Sequence, residues 1–256
     1  MKILAIGDIV GSAAVAYLNK NLWKKRDELG VELVVANGEN ASEIHGVSAA
    51  LAEDIFAAGV DVITLGNHSF GKRDICNLLN DSNAIIRPAN YPPFVPGSGS
   101  TIINACGWRV LCMNVLGTAL MEPMSCPFET VDKLLAREKG NYDISILDIH
   151  AESTSEKIAL ARYFDGRIDI IFGTHTHVAT ADEQILQGGT GYITDLGMSG
   201  PVNGVIGADA AAVIERMRTK IPTYFKIADG EVRVCGAVFD YDTDKRCVTS
   251  VKRITF

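Results

Sequence analysis

Five short apolar runs in this sequence each end in residues that can bind a metal or move a proton. Lys2–Gly7 is followed by Asp8, Glu32–Ala36 by Asn37-Gly38-Glu39-Asn40, and Asp61–Leu65 by Gly66-Asn67-His68. Asp143–Ile149 is followed by His150, and Ile168–Phe172 by Gly173-Thr174-His175-Thr176-His177. Four of the five histidines lie in this set, and only His45 stands outside it. A lone strand-end Asp is usually a cap, and a lone His is usually structural. His-x-His is a stronger signal, because alternate residues of an extended segment face the same way. Imidazole, carboxylate and amide oxygen without thiolate suit Fe, Mn, Zn or Ni. The candidates are Asp8, Glu39, Asn40, Asn67, His150, His175 and His177, more than the three protein ligands of a one-metal catalytic site. Such a set suits two metals about 3.5–4 Å apart, with the Glu39 carboxylate as the natural bridge. Neighbours on a turn rarely chelate one ion together, so with Asn67 on the metal, His68 is expected to face the cavity as acid or base. Two divalent ions set against Asp8, Glu39 and a bridging hydroxide leave a centre of about +1, enough to draw a phosphodiester monoanion.

The runs that carry these groups read as strands, and helical patterns alternate with them. Val15, Leu18, Leu22 and Leu29 keep helical spacing over Ser12–Leu29, with Gly30 as the stop. Ser48–Ala58 reads as a helix opened by a Ser cap, and Thr130–Lys139, Ser153–Phe164 and Ala208–Arg218 as further helices. Arg87–Gly99 is rich in Pro and Gly and is expected as loop. Thr101–Ala105 and Arg109–Val115 read as antiparallel strands around Cys106-Gly107, and further strands are expected near Tyr192–Asp195, Tyr224–Ala228, Val232–Asp240 and Val248–Ile254. This order implies an α/β sandwich with a mixed sheet. In α/β sheets ligands bind outside the carboxyl ends of the strands, where the polar clusters sit. A single domain over 1–256 is expected, with 87–127 as a small protruding insert.

Composition excludes several classes. Of 256 residues, 47% are apolar and 21% charged, as in an ordinary globular protein rather than a fibre or a disordered tail. The formal charge is −7 and there is no basic block, which argues against duplex nucleic acid as a partner. No apolar run approaches the roughly 20 residues of a membrane span. The start, Met1-Lys2-Ile3-Leu4-Ala5-Ile6-Gly7-Asp8, lacks the pattern of a secretory signal. The six cysteines form no C-x-x-C pair and are expected to be reduced and mostly buried. The reading is a cytoplasmic protein; a homo-oligomer through the insert or the C-terminal strands is compatible with the sequence.

Gly7-Asp8, Gly66-Asn67-His68, the isolated His150 and Gly173-Thr174-His175-Thr176-His177, in that order, resemble the calcineurin-like metallophosphoesterase superfamily. The usual D-x-H start is Asp8-Ile9-Val10 here, and the usual G-D-x-x-D segment is Asn37-Gly38-Glu39-Asn40. Those departures, with GDIVGS, GVDVITLGNHSF, IRPANYPP, HAESTSEK, GTHTHVATADEQIL and YITDLGMSGPVNGVIG, resemble the YmdB-like branch, a bacterial group of 2′,3′-cyclic-nucleotide phosphodiesterases. Two stretches differ: Ser42-Glu43-Ile44-His45-Gly46 replaces a Gly-rich turn, and Ser69-Phe70-Gly71 an aromatic followed by an acid. The resemblance implies a four-layer-type, metallophosphoesterase-like α/β sandwich with mixed β-sheets. It implies one metal on Asp8, Glu39, Asn40 and His177, and another on Glu39, Asn67, His150 and His175, with Asn40 standing in for the absent histidine. The metals it implies are Fe or Mn, with Zn as a further candidate.

The expected activity is hydrolysis of a small cyclic nucleotide or other phosphodiester by a metal-bridged hydroxide, with His68 as proton donor. Two alternatives stay open: a metal-containing regulatory module for nucleotides or RNA ends with little turnover, and a phosphatase acting on other phosphoesters. Asp182, Glu183, Glu152 and Asp195 are expected as orienting groups or caps rather than ligands. Arg87 and Asn90 are read as turn residues, and His45 as a loop histidine facing solvent.

Overall fold

The computed structural model describes residues 1–43 and 45–256. In chain order the first half holds β1 (Lys2–Ile6), β2 (Asp8–Ile9), α1 (Ser12–Leu29), β3 (Leu33–Asn37), α2 (Ala49–Ala57), β4 (Val62–Thr64), α3 (Ile75–Asp81), β5 (Ile85–Ile86), β6 (Ser100–Ala105) and β7 (Trp108–Leu116). The second half holds α4 (Pro127–Arg137), β8 (Ile144–His150), α5 (Thr154–Tyr163), β9 (Ile170–Thr174), β10 (Gln184–Ile185), β11 (Gly191–Ile193), β12 (Met198–Pro201), α6 (Ala210–Thr219), β13 (Val232–Arg233), β14 (Cys235–Asp242) and β15 (Cys247–Thr255).

The strands form two six-stranded sheets, ordered β15-β14-β1-β3-β4-β5 and β10-β11-β9-β8-β7-β6. In the first, β1, β3, β4 and β5 run parallel, with β14 antiparallel to β1 and β15 antiparallel to β14 at one side. In the second, β11, β9, β8 and β7 run parallel between antiparallel β10 and β6. A small third sheet, β13-β12-β2, closes one end.

Strand alternation sets the layering. Ile3 and Ala5 of β1 pack with Ile146 and Phe172 of the second sheet. Their neighbours Leu4 and Ile6 turn the other way, onto Val15, Leu18 and Leu22 of α1 and Ile55 of α2. On the far side, Leu111, Met113, Leu147 and Ile149 pack with Val131 of α4 and Leu160 of α5. The result is the expected four-layer sandwich, helix–sheet–sheet–helix. Each fully buried aliphatic side chain contributes about 1.5–3 kcal/mol, and a one-residue slip would turn it to the wrong face. That register holds the strand ends where the polar clusters begin.

Local signals agree with several expected ends. Gly30 adopts the left-handed conformation after α1, at φ 65°, and Ser48 accepts the Leu51 N–H ahead of α2. α4 begins at Pro127 rather than Thr130 because proline suits the first helical turn. Other expectations are corrected. Tyr224–Ala228 is not a strand; it makes only the Ala208–Ile227 bridge, with Ala228 N–H donating to Gly207 O. The expected strand Val232–Asp240 breaks at Val234, so that β13 joins the third sheet and β14 the first. The stretch 87–127, expected to protrude, supplies β6 and β7, with Leu111, Cys112 and Met113 in the core. Only Cys112 of the six cysteines is buried; Cys106 sits at the β6–β7 turn and Cys126 at the start of α4, where no layer covers them. Among the described residues no helix is long and apolar enough to cross a membrane.

Candidate metal centre

The five clusters meet, but not along one sheet edge as expected. Glu39 and Asn67 follow β3 and β4 of the first sheet, whereas His150 ends β8 and His175 follows β9 of the second. The parallel strands of the two stacked sheets therefore finish at the same end of the sandwich. Asp8 opens β2, whose pairing with Met198 of β12 holds it beneath that end.

His150 Nε2 is the hub. It lies 3.0 Å from Asn67 Oδ1, 3.0 Å from His175 Nδ1 and 3.1 Å from Glu39 Oε1. Asp8 Oδ1 lies 3.8 Å from His177 Nε2 and 3.9 Å from His150 Nδ1. The Asn40 amide reaches both Glu39 Oε1 (3.0 Å) and His177 Nε2 (3.3 Å). All seven sequence candidates are thus brought together. Glu39, His150 and His175 place donor atoms within 4.8 Å of one another, and Asp8, Asn40 and His177 gather beside them.

Three observations test whether this set suits metal ions. First, buried Asp8 Oδ1 and Asn40 Oδ1 have no hydrogen-bond partner among the described residues, although orphaned buried acceptors cost about 1–3 kcal/mol each. Second, each histidine turns one nitrogen to the centre and fixes the other: His150 Nδ1 on Thr174 Oγ1 (2.9 Å), His175 Nε2 on Glu152 Oε2 (3.2 Å), His177 Nδ1 on Ile206 O (3.0 Å). Metal-binding histidines are held in this way. Third, a Cβ on Gly66 would come within 2.3 Å of both Glu39 Oε2 and His150 Nε2, so only glycine lets the Asn67 turn approach. The residues present fit divalent cations.

Charge among the protein groups points the same way. Burial raises Asp8 above the usual carboxylate range, against the pull of His177 and His150. Burial also opposes ionisation of Glu39, but the His150 ring and the hydrogen bond from the His68 backbone N–H, with the His68 charge adding to them, overrule it and hold Glu39 at about 2. His150 is the counterpart: burial pushes it down, yet Glu39, Asp8 and Asp148 raise it to about 9. Burial and the neighbouring His150 push His175 down to about 3, leaving it neutral and able to donate a lone pair.

The His-Thr-His segment carries backbone strain. His175 and His177 have φ of 96° and 64°, a region that costs side-chain-bearing residues about 1–3 kcal/mol each. Thr176 between them is clamped: its hydroxyl donates to Asp195 Oδ2 at 2.8 Å, and Asp195 Oδ2 lies 2.6 Å from Lys157 Nζ. Lys157 and Asp195 are both fully buried. Asp195 was expected as an orienting group or cap, but Lys157 was not singled out, although its hydrophilic type inside an apolar helix face was the available signal.

His68 lies beside the donors, its backbone N–H donating to Glu39 Oε2 at 3.0 Å. Asn67 Nδ2 donates to His68 Nε2 at 3.1 Å, and the Tyr91 hydroxyl steadies the turn by donating to Asn67 O at 3.1 Å. Burial lowers the His68 pKa, and His45 adds to that effect, while Glu39 opposes it. His45 is exposed but is no bystander: its ring stacks on His68 at 4.0 Å and lines the same cavity. Arg87 donates to Pro88 O and Pro96 O, and Asn90 to Leu116 O and Ser125 O, so both brace turns. Asp182 accepts from Thr180 and Thr194, and Glu183 pairs with Arg253; neither joins the centre.

A family model described as "YmdB-like protein" matches residues 4–254. A protein of Bacillus subtilis (strain 168), named 2′,3′-cyclic-nucleotide 2′-phosphodiesterase, is 38% identical over 254 residues, 99% of this chain and 96% of the relative. The crystal structure of a novel phosphatase from Mycoplasma pneumoniae superposes with a TM-score of 0.93 at 32% identity, covering 100% of this chain and 93% of that one. At the level of fold alone, a 5′-nucleotidase precursor from Thermus thermophilus gives a TM-score of 0.55 at 11% identity, covering 100% of this chain and 54% of its own. The sandwich is the metallophosphoesterase fold, which implies divalent metal ions at this end of the sheets. With its match running almost end to end, the chain belongs to the YmdB-like family.

Proposed function

We propose that this chain, a hydrolase acting on phosphoester bonds, works as one domain that opens 2′,3′-cyclic nucleotides at a two-metal centre. The observation that carries the reading is the convergence of Glu39 Oε1, Asn67 Oδ1 and His175 Nδ1 on His150 Nε2 within about 3 Å, beside the unsatisfied Asp8 Oδ1 and Asn40 Oδ1. The name of the Bacillus subtilis relative supports the substrate.

Asp8, Glu39, Asn40 and His177 would hold one ion, and Glu39, Asn67, His150 and His175 the other. Glu39 is common to both because its carboxylate offers two oxygens. Nitrogen and oxygen donors without thiolate favour Fe or Mn, with Zn also compatible. Bound there, the ions would supply charge neutralisation on the phosphoryl oxygens and acidify water near neutral pH.

The chain's own residues do the rest. Glu152, Thr174 and the Ile206 carbonyl hold the three imidazoles in their tautomers. Asn67 turns its oxygen to the centre, and its amide N–H holds the neutral His68 ring beside the donor atoms until substrate binding protonates it. His68 donates a proton to the ribose oxygen as the P–O bond breaks. Burial disfavours the protonated ring, so the anionic phosphodiester itself, lying against His68, restores the charge that donation needs.

The leaving group tests this. His68→Ala should slow hydrolysis of 2′,3′-cyclic AMP by about 10²–10⁴-fold while retaining metal. Bis-p-nitrophenyl phosphate, whose leaving group departs without a proton, should be slowed far less. Equal slowing of both substrates, or loss of metal from the variant, would refute the division between His68 and the donor set.

A further inference from the structure

We infer that the cavity wall facing the metal centre is a subsite for a phosphate on the 5′ side of the nucleotide, an inference that rests on the activity proposed above. The cavity over the centre measures about 710 Å³. That falls within the roughly 300–1,000 Å³ of sites that enclose a whole small molecule, well beyond what a phosphoryl group alone requires. Its floor is Glu39, Asn40, His68, His175 and His177. The opposite wall comes from α6 and the segment 220–227, through Val213, Arg216, Met217, Lys220, Phe225 and Lys226.

Three features of the wall select an anion joined to a nucleoside. In a chain of formal charge −7, the wall gathers three cations, Arg216, Lys220 and Lys226, into one cavity. Every ion pair that a lysine or arginine makes among the described residues involves some other cation, so these three keep their charge for something else. The one carboxylate on the rim, Glu152, is engaged with His175 at 3.2 Å. Half-buried Phe225 lines the same cavity, its ring 5.5 Å from the Arg216 guanidinium. An aromatic face beside arginine is a platform on which bases stack. A ribonucleoside carries its 5′ oxygen on the opposite side of the sugar from the 2′ and 3′ oxygens. With the scissile cyclic phosphate on the floor, the 5′ substituent is directed to the wall.

The chemistry recognised is a phosphate on the 5′ oxygen. It has two sources: a 5′-phosphorylated mononucleotide, or the internal phosphodiester of an oligoribonucleotide whose 3′ end is being processed. Calorimetry on the metal-loaded protein separates them without reading turnover. Adenosine 3′,5′-bisphosphate should bind about tenfold more tightly than adenosine 3′-monophosphate, a difference of about 1.4 kcal/mol. The gap should shrink as ionic strength rises, because exposed charges are screened, and should approach unity in the R216Q/K220Q/K226Q variant. A diadenosine bearing a terminal 3′-phosphate that matches the bisphosphate identifies the oligonucleotide source; one that binds no better than the monophosphate identifies the mononucleotide. Equal affinities in the wild-type protein, a gap indifferent to salt, or a gap surviving in the triple variant would overturn the subsite. A protein that shows the gap but cleaves no cyclic nucleotide would overturn the proposed activity and leave the subsite standing, whereas cleavage without the gap does the reverse.

Discussion

The floor and the wall of the same cavity are built on opposite principles. The floor stands on strand ends: Asp8, Glu39 and His150 are at most 1% exposed, and their neighbours form a continuous hydrogen-bonded set. The wall is a ten-residue helix that buries only Val213, followed by an extended segment that joins no named strand. Metal donors must be held to a fraction of an ångström, which packed sheets can do. A surface such as the proposed subsite tolerates looser attachment. The difference teaches where in this molecule a substitution should change chemistry and where it should change choice of substrate.

Among substitutions that separate the floor from the wall, Gly66→Ala should have the largest effect, since the added methyl would sit 2.3 Å from both Glu39 Oε2 and His150 Nε2. Metal content by elemental analysis should fall, and phosphodiester hydrolysis should drop by at least about 10²–10³-fold, the cost of losing charge stabilisation in the transition state. A variant that keeps its metal would show that the floor is not held as tightly as its packing implies.

A subtler change sharpens the comparison. Thr176→Val removes the hydroxyl that Asp195 holds at 2.8 Å but leaves the buried Lys157–Asp195 pair intact. The strained His-Thr-His backbone should relax, and metal affinity should fall by about 10–100-fold, as for other groups that orient ligands. Thr176→Ser should restore it. Equal metal affinity in all three proteins would show that the strain is held elsewhere.

The smallest effect is expected at the far end of β8, away from the centre. There Asp143 is held down to about 2 by hydrogen bonds from Arg109, with its charge adding to them. A carboxyl whose folded pKa is depressed adds stability above its unfolded value, about 3.9, and loses it as pH falls through the folded value. Asp143→Asn should therefore lower thermal stability above about pH 4 and leave it unchanged once the pH is well below about 2, and the effect stays small because the pair is at the surface and screened. Metal content should be unchanged throughout. A melting difference that is the same at both pH values would show that the pair's charge contributes nothing.

Much of the floor was legible because each donor follows an apolar run whose length and alternation define a strand. Asp8, Glu39, Asn67, His150 and the His-x-His pair needed no knowledge of tertiary contacts to be singled out. The role of His45 was not legible, because nothing in its neighbours tells that its ring stacks on His68. Lys157 and Asp195 lie 38 positions apart, and no local pattern pairs them. Tyr224–Ala228 looked like a strand because its residues favour extended backbone, yet a strand requires a neighbouring edge, and only Ala208 bridges to it.

The amino-acid sequence by itself determined the alternation of strands and helices and the chemical types of the donors, because periodicity and residue chemistry are local. Only the tertiary structure decided that the donors come from two stacked sheets, which nitrogen of each imidazole faces inward, and that α6 closes the cavity with cations. Those outcomes depend on side chains far apart in the chain meeting across packed layers, and long-range packing is written in no single stretch of residues.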